Sequence, residues 1–597
     1  ARDTPERLGA VARGVRDALA AGRSGEGPDD LCDRAHVALA EGPVGGHRLA
    51  VVGRGAAELA RALEAYVQGV AHPGLWRGQG PAATRGPVFV FSGFGSQWAG
   101  MGRRLLEEEP AFRASVEESD ARFLEAGLGW SVAEMLSSGR AEPWQLEVSP
   151  APIFVVQVAL AALWRHWGVR PAAVLGHSTG EMAAAVVAGA LTLEQGVRVC
   201  SRVGEAFERA QGRGHLVLVK LSASETRQAL AELGSGACVA IENSPDSCLV
   251  GGPADEVGAA AAALEARGVV CQRTRILLPV HSPAFEPYGA RLREALERAG
   301  LEPALAALPL YAASLGGRCR GDELGAAHWA SNFGGLVRFE GAVERLLAEG
   351  HELFLEISPH PVVAPAVEQM LAARGSAGWA LGSERRDADE PAAVRGALGE
   401  LFAFGYLAEL PGPRAEGATI VALPEATAVE GAIAPSATAG AGAASDGPPP
   451  LDRDAFGTLP GGRRLEALER YVLAHVAHAL RVPAGGLSAQ TPLRDLGCDS
   501  LLLTRLSSGI GAGVGLPLPP TLLWLQPTGA AVAAWLLERL APVSDSRQAP
   551  ARPAPRTEPP PRPAAPTVDA EVLRALSDDE AAALLLQTLQ SIEVPRG

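Results

Sequence analysis

Lysine is all but missing from this chain: of its 53 basic side chains, only Lys220 is a lysine, and arginine supplies the rest of the positive charge. Asp and Glu number 68, so the formal net charge is -15 and there is no basic footprint for nucleic acid. No run reaches the ~18 apolar residues that a membrane helix needs; the nearest, residues 151–164, is too short and carries Gln157. The opening Ala1-Arg2-Asp3-Thr4 lacks the basic, apolar and cleavage-site pattern of a secretory signal, and the missing initiator Met suggests a fragment or a processed start. Seven cysteines (Cys32, Cys200, Cys238, Cys248, Cys271, Cys319, Cys498) form no C-x-x-C pair. That scatter argues against a zinc ribbon or a disulfide framework, suits a reducing cytoplasm, and reads as small buried hydrophobes.

What is present describes a folded protein. With 47% hydrophobic and 20% charged residues the chain is neither mainly disordered nor collagen-like. At roughly 150 residues per domain, 597 residues suggest three to five folded units. Composition breaks the chain twice. Residues 411–450 are mostly Gly, Ala, Pro, Ser and Thr, too little apolar surface to order well. Residues 543–567 hold Pro550, Pro553, Pro555, Pro559, Pro560, Pro561, Pro563 and Pro566, expected to form a semi-stiff extended spacer.

Within the large N-terminal block, Pro87-Val-Phe-Val-Phe91 reads as a short buried strand entering a Gly-rich turn, Ser92-Gly-Phe-Gly-Ser96. A second apolar run, Pro171-Ala-Ala-Val-Leu175, ends at Gly176-His-Ser-Thr-Gly-Glu181 and passes into helical periodicity, the strand–turn–helix of an α/β sheet. Residues 215–276 show a different order. A strand at 216–221 precedes a helix at 222–233, opened by the capping box Ser222-Ala-Ser-Glu225. Strands at 237–241 and 247–250, a helix at 253–267 and a strand at 269–276 follow. That β-α-β-β-α-β order is the split-βαβ, ferredoxin-like unit, inserted in a larger α/β domain.

Gly176-His177-Ser178-Thr179-Gly180 fits the G-x-S-x-G nucleophile elbow, whose flanking glycines let a tight turn lift the serine hydroxyl beside the N–H groups opening the next helix. A serine needs a base. His281, in Leu278-Pro-Val-His-Ser-Pro-Ala-Phe285, follows the inserted unit directly, and His360, in Ser358-Pro-His-Pro361, competes with it.

These residues resemble the acyltransferase domains of modular polyketide synthases. Gly176 to Glu181 is similar to the family's GHSxGE signature, and Phe91-Ser-Gly-Phe-Gly-Ser-Gln-Trp98 with Gly100-Met-Gly102 to its FSGQGSQW…GMG opening. His281-Ser-Pro283 resembles its histidine motif and Phe354-Leu-Glu-Ile-Ser-Pro-His-Pro361 its later landmark. The resemblance implies Ser178 as nucleophile, His281 as general base and then acid, and an oxyanion hole from the main-chain N–H groups of Phe94 and Thr179. It also implies an acyl pocket near Val203, Arg202, Val280 and Gln97. Where most relatives have glutamine, this chain has Phe94 and Pro150. Relatives that load malonyl-type units carry an arginine about 25 residues after the nucleophile to clamp the free carboxylate. Aligned through Gly189-Ala-Leu-Thr-Leu193 and Arg198, that position is Val203, with Arg202 adjacent as the alternative clamp. A buried carboxylate without a cationic partner costs several kcal/mol, so Val203 points to an uncharged starter-type acyl group. Leu278-Pro-Val-His281 matches neither the YASH form linked to methylmalonyl nor the HAFH form linked to malonyl.

Further on, Asp495-Leu-Gly-Cys-Asp-Ser-Leu501 resembles the LGxDSL motif of acyl carrier proteins, which implies Ser500, preceded by Asp499, as the attachment point of 4'-phosphopantetheine. This segment is not acidic as most carriers are, so partners that steer carriers by charge would meet it differently. Residues 568–593 read as an amphipathic helix, capped by Ser577-Asp-Asp-Glu580 with Leu585, Leu589 and Ile592 on one stripe. Alone it cannot bury that stripe, and it resembles the docking helices that join one synthase polypeptide to the next.

The expectation is therefore a multidomain chain: an α/β acyltransferase core with an inserted ferredoxin-like (βαββαβ) subdomain, and a four-helix-bundle acyl carrier domain. By residues, this is a ketosynthase–acyltransferase linker at 1–85, the acyltransferase at 86–386 with its insertion at about 213–277, and a linker at 387–455. The carrier at 456–542, the Pro-rich linker at 543–567 and the docking helix at 568–597 follow. The expected partners are an acyl-CoA, a phosphopantetheinyl transferase, an upstream ketosynthase and a downstream synthase polypeptide, with no metal, nucleic acid or membrane. Two other classes stay open. One is a hydrolase releasing acid to water, against which the insertion between Ser178 and His281 argues. The other is a carrier and docking scaffold with a decayed acyltransferase, for which Phe94, Val203 and Pro150 are the signs.

Overall fold

A computed structural model describes residues 4–20, residues 46–406 apart from 71, 73, 80–82, 84, 377 and 387, and, with breaks, residues 451–540. The expected docking helix therefore lies outside the described residues, as do Cys32 and Cys498. Among the described residues no helix is long and apolar enough to cross a membrane.

The chain begins with a small layer. The helix Pro5–Ala20 packs on the helix Gly55–Gln68, and strands β1 (His47–Val51) and β2 (Leu75–Gln79) pair antiparallel. The large domain follows, built on β3 (Val88–Phe91) and β4 (Ala173–Gly176), four-residue strands in which every residue is buried. Short, wholly apolar strands of this kind suit a parallel sheet covered on both faces. The helix Ala151–His166 beside them is likewise buried along nearly its whole length.

Strands β5 (Gly214–Val219), β6 (Cys238–Ser244), β7 (Ser247–Pro253) and β8 (Cys271–Arg273) form a second sheet. Its helices Ala223–Leu233 and Ala254–Ala266 share a separate core of Val217, Leu230, Val250, Val257 and Leu264. The capping box at Ser222 closes both ways: Glu225 N donates to Ser222 Oγ at 3.2 Å, and Ser222 N donates to the Glu225 carboxylate at 3.1 Å. Such caps contribute about 1 kcal/mol. The last strand is shorter than the expected 269–276, because Thr274 turns its hydroxyl onto Leu216 O at 2.7 Å and breaks the regular ladder.

Next come β9 (Leu310–Ala312), β10 (Gly317–Cys319), β11 (Val337–Arg338), β12 (Leu353–Glu356) and β13 (Trp379–Gly382). The large sheet runs β10-β9-β4-β3-β12-β13, parallel except for the β9–β10 hairpin, and the small one runs β11-β6-β7-β5-β8. Strand β11 was not expected from the sequence: two residues pair parallel with β6 and tie the small sheet to the segment entering the helix Phe339–Ala348. Since β3, β4 and β12 are parallel neighbours, the segments leaving their carboxyl ends converge: 92–97, 177–180 and 358–361.

The residues expected to begin a linker at 387 instead fold against the core. The helix Glu390–Phe404 buries Val394 and Leu401 and packs on β1 and β2, with Gly396 and Gly399 against the Trp76 ring. Apolar side chains and paired small residues make this segment part of the fold; the low-apolar composition that signals a linker starts only later. In the carrier segment, helices Gly461–Leu480, Ser500–Val514, Leu522–Leu525 and Gly529–Leu540 enclose their own core of Leu468, Val472, Val476, Ile510, Val532 and Leu536.

A Cβ at Gly78 would overlap the backbone carbonyl of Ala403. Gly78→Ala should therefore lower stability by about 2 kcal/mol or more in urea unfolding. At Gly14, in the first helix, a Cβ meets nothing within 4 Å, so Gly14→Ala should raise stability by about 0.5–1 kcal/mol.

Candidate active site

Ser178 leaves β4 with φ 54°, in the left-handed region that costs a non-glycine residue about 1–3 kcal/mol. The surroundings hold it there. His177 N continues the sheet by donating to Phe91 O at 2.9 Å, while Gly180 N and Glu181 N donate back to His177 O and Ser178 O, each at 3.0 Å. Gly180 lies so close to the carbonyls of Phe91 and Ser92, and Gly176 to Glu181, that neither position has room for a side chain. The glycines of the pentapeptide thus answer to close backbone approach, and the serine stands at the tip of the turn, buried to 8% exposure.

His281 is the only other described non-glycine residue with positive φ, 57°. Its Nε2 stands 2.7 Å from Ser178 Oγ. Its Nδ1 faces two carbonyls, Asn332 O at 3.0 Å and Gly335 O at 3.2 Å, and its backbone N–H donates to Phe333 O at 2.7 Å. Carbonyl oxygens only accept, so Nδ1 carries the ring proton and Nε2 presents a lone pair to the serine hydroxyl. Burial pushes the imidazole down to about 4, against the upward pull of the two carbonyl bonds, so the ring is neutral at pH 7. The competing His360 is engaged differently, its Nδ1 accepting from Arg386 N at 3.3 Å, and it is His281 that bonds Ser178.

The turn after β3 lies against the elbow, a Cβ on Gly93 falling 3.0 Å from Ser178 Cβ. Among the described residues, the backbone N–H groups of Phe94 and Thr179 donate to no protein acceptor. Gln97, expected near the pocket, has both ends of its amide engaged: Oε1 accepts from Gly95 N at 2.8 Å and Nε2 donates to Leu146 O at 2.7 Å. It shapes the turn that presents Phe94.

The helix Leu193–Ala210 passes behind this turn. Val203 is wholly buried in the core, whereas Arg202 points outward into an ion pair with Glu205. Arg198 binds Ala299 O and Glu194 at the surface. One turn beyond Val203, Phe207 meets the Phe94 ring (centroids 5.8 Å) and the Phe333 ring (5.2 Å), and Phe333 in turn lies against His281 (6.2 Å). A continuous aromatic wall runs from the glycine-rich turn to the histidine. Val280 is buried, and Pro150 caps the helix Ala151–His166 close to Gly204. Among the described residues Arg48 is the one buried arginine or lysine, and it binds Ala403 O in the N-terminal layer.

Sequence reasoning missed Phe207, Phe333, Asn332 and Gly335. The last two act through main-chain carbonyls, for which no residue type is a signal. In the carrier segment Ser500 is the first residue of its helix, and residues 494–499, including Asp499, lie outside the described residues.

An unfolded histidine takes up a proton below pH 6.5, while folded His281 resists protonation until about pH 4. The stability this neutral ring contributes is full above pH 6.5 and is lost as pH falls towards 4, up to about 3 kcal/mol. His177, buried beside it and pushed down to about 3, acts in the same direction. Urea unfolding at pH 7 and pH 4.5 should show a smaller acid destabilisation for His281→Gln than for the parent chain, by about 2–3 kcal/mol.

Comparison with known proteins places two parts of the chain in known families. Residues 88–406 match the family described as "Acyl transferase domain", and residues 470–536 that described as "Phosphopantetheine attachment site". A spectinabilin polyketide synthase system protein, NorC, from Streptomyces orinoci is 33% identical over 527 residues, which is 85% of this chain and 23% of that protein. A mycocerosic acid synthase-like polyketide synthase of Mycobacterium tuberculosis is 39% identical over 322 residues, 54% of this chain and 15% of that protein. The chain thus spans less than a quarter of the length of these curated relatives. Among solved structures, the acyltransferase domain from module 8 of the salinomycin polyketide synthase superposes with a TM-score of 0.64 at 31% identity, covering 68% of this chain and 96% of that one. A loading acyltransferase from the avermectin modular polyketide synthase gives a TM-score of 0.50 at 35% identity, covering 53% of this chain and all of that one. The chain belongs to the acyl transferase domain family, in its polyketide synthase branch, and carries a phosphopantetheine attachment domain behind the acyltransferase.

Proposed function

We propose that this chain takes an acyl group from an acyl-CoA onto Ser178 and passes it to a carrier arm on Ser500, and that the acyl group is an uncharged, starter-type unit. The observation that carries the transfer is the Ser178–His281 contact at 2.7 Å, with the ring proton held on the far nitrogen by two carbonyls. Neutral His281 Nε2 accepts the hydroxyl proton as Ser178 Oγ attacks the thioester carbonyl. The oxyanion would lie between the free N–H groups of Phe94 and Thr179, each worth roughly 3 kcal/mol if well aimed. His281 then gives the proton to the departing thiolate and is the base available at the acyl-serine. The attachment domain carries 4'-phosphopantetheine on a serine, and that arm supplies the thiol that receives the acyl group. Ser500 fits it: the serine opens a 15-residue helix with no acidic residue in its first turn, so its N–H groups favour a phosphodiester.

The acyl assignment rests on the apolar wall. Val203 stands where a clamp would be, Arg202 turns away into an ion pair, and Phe94 and Phe207 fill the space beside them with rings. Similarity alone does not choose, since it extends to a loading acyltransferase and to a numbered-module acyltransferase alike. An intact serine–histidine pair weighs against a decayed domain. We read the insertion as ferredoxin-like, from its β-α-β-β-α-β order and the strand order β6-β7-β5-β8, and the carrier's four helices as the usual bundle. The N-terminal layer is read as a ketosynthase–acyltransferase linker, completed by the helix Glu390–Phe404. An upstream ketosynthase, a downstream synthase polypeptide met through residues 568–597, and a cytoplasmic setting complete the proposal.

Intact-protein mass spectrometry after phosphopantetheinylation tests it, with acetyl-, propionyl-, isobutyryl- and benzoyl-CoA competing against malonyl- and methylmalonyl-CoA. A neutral acyl group should appear on Ser500, be absent in Ser178→Ala, and exceed malonyl-type loading by roughly a hundredfold. Val203→Arg should shift loading towards malonyl. Predominant malonyl-type loading of the parent chain would overturn the acyl assignment.

A further inference from the structure

One buried carboxylate of the site has no part in the chemistry described above. Glu181, three residues after the nucleophile, is 3% exposed. It collects donors from two separate segments: Ser314 N (2.8 Å) and Ser314 Oγ (2.9 Å) from the segment after β9, and His328 Nε2 (3.1 Å) and Asn332 Nδ2 (2.7 Å) from the helix Ala326–Gly334. That helix is the one that holds the base. His281 is bonded to Asn332 O, Phe333 O and Gly335 O, all at the helix's carboxyl end. The chain of contacts therefore closes a ring: Ser178 to Glu181 along one turn, Glu181 to Asn332 through its side chain, Asn332 to His281 through its carbonyl, and His281 back to Ser178.

We propose that Glu181 is a positioning residue for the acyl transfer, doing through Asn332 what a carboxylate in direct contact with the imidazole does in a Ser-His-Asp triad. This rests on the roles given above to Ser178 and His281. The physical case has two parts. The negative end of the helix, formed by its last free carbonyls, faces Nδ1 and favours the imidazolium that forms when Nε2 takes the serine proton. That helix end must also be fixed to a fraction of an ångström for Nε2 to stay at hydrogen-bond distance, and Glu181 is its buried link to the nucleophile's own turn. A Gln at 181 offers one acceptor oxygen where the carboxylate offers two, so the Ser314 N–H and the Asn332 Nδ2 no longer both meet an acceptor in the present geometry, and the helix end loses its fixed contact unless neighbouring side chains turn.

The test uses the full chain and two readouts: the rate at which Ser178 is labelled by a fluorophosphonate, and acyl-CoA turnover resolved into kcat and KM. The stoichiometry of labelling counts correctly folded sites. Glu181→Gln should reach the parent's final labelling while its labelling rate and kcat fall by tenfold to a hundredfold, the range for a small misplacement of reacting groups, with KM unchanged. Glu181→Asp, which keeps the charge, should recover part of the loss. Asn332→Ala, which leaves the carbonyl but removes the tie, should slow both rates similarly, and the double variant Glu181→Gln/Asn332→Ala should be no slower than Glu181→Gln. If Glu181→Gln does not fold, the Asn332→Ala measurement decides alone. Parent-like rates per labelled site in either single variant, or loss of labelled sites with no change in rate, would overturn the proposal. Failure of the functional reading looks different: the parent chain labels rapidly on Ser178 yet accepts no acyl-CoA, and the variants still test positioning through the labelling rate. A parent serine that does not label at all would overturn both.

Discussion

The contact between Ser178 Oγ and His281 Nε2 is made by two residues that both hold left-handed backbone conformations and lie 103 positions apart in the chain. Neither conformation is favourable by itself, so each depends on what surrounds it. The serine is fixed by the edge where β3 and β4 end side by side, at a spacing that glycine alone permits at positions 176 and 180. The histidine is fixed by a helix end, through three main-chain carbonyls. Everything between them in sequence, including four of the five strands of the second sheet, returns the chain to the same point. Strand β11 lies two residues beyond Gly335, which accepts from the imidazole, so the small sheet is anchored beside the element that sets the base.

Those parts of the site that depend on residue type were legible in the sequence. The flanking glycines, the hydroxyl between them and the imidazole after the insertion each follow from chemistry that tolerates few substitutes. The same holds for the capping box at Ser222, where side chains do the bonding. What was not legible is backbone work and long-range pairing. Asn332 and Gly335 contribute carbonyls that any residue would offer, and two-residue β11 has no periodicity to read. The helix Glu390–Phe404 fell within the expected linker because the motifs that carry the resemblance end before it, and glycine and alanine in its turns give no separate signal. Those small residues are what allow it to lie against Trp76, and only the fold supplies the partner that makes this sensible. The Phe94–Phe207–Phe333 wall escaped notice for a related reason: its members come from three segments, and single aromatics in helices read as ordinary core.

Burial gives the site one property with two consequences. Removing water from around His281 disfavours the imidazolium, which leaves the ring unprotonated at neutral pH, its Nε2 lone pair open to the serine proton without a proton first having to leave, though as a weaker base than a solvated imidazole. The same low-dielectric surroundings disfavour any other isolated charge brought in with the substrate. An acyl group that ends in a carboxylate would need a cation beside it, and the buried position on the helix Leu193–Ala210 is filled by Val203 while Arg202 is held outside by Glu205. An arginine at 203 would have to displace apolar contacts and remain charged on the same helix as Phe207, whose ring meets the Phe333 ring that lies against an imidazole that must itself become positive during transfer. A cation there would raise the energy of that imidazolium unless the substrate's carboxylate offset it. The proposed preference for an uncharged acyl group and the protonation of His281 during transfer are therefore linked, because a face of the pocket free of positive charge adds no further penalty to the imidazolium that burial already disfavours.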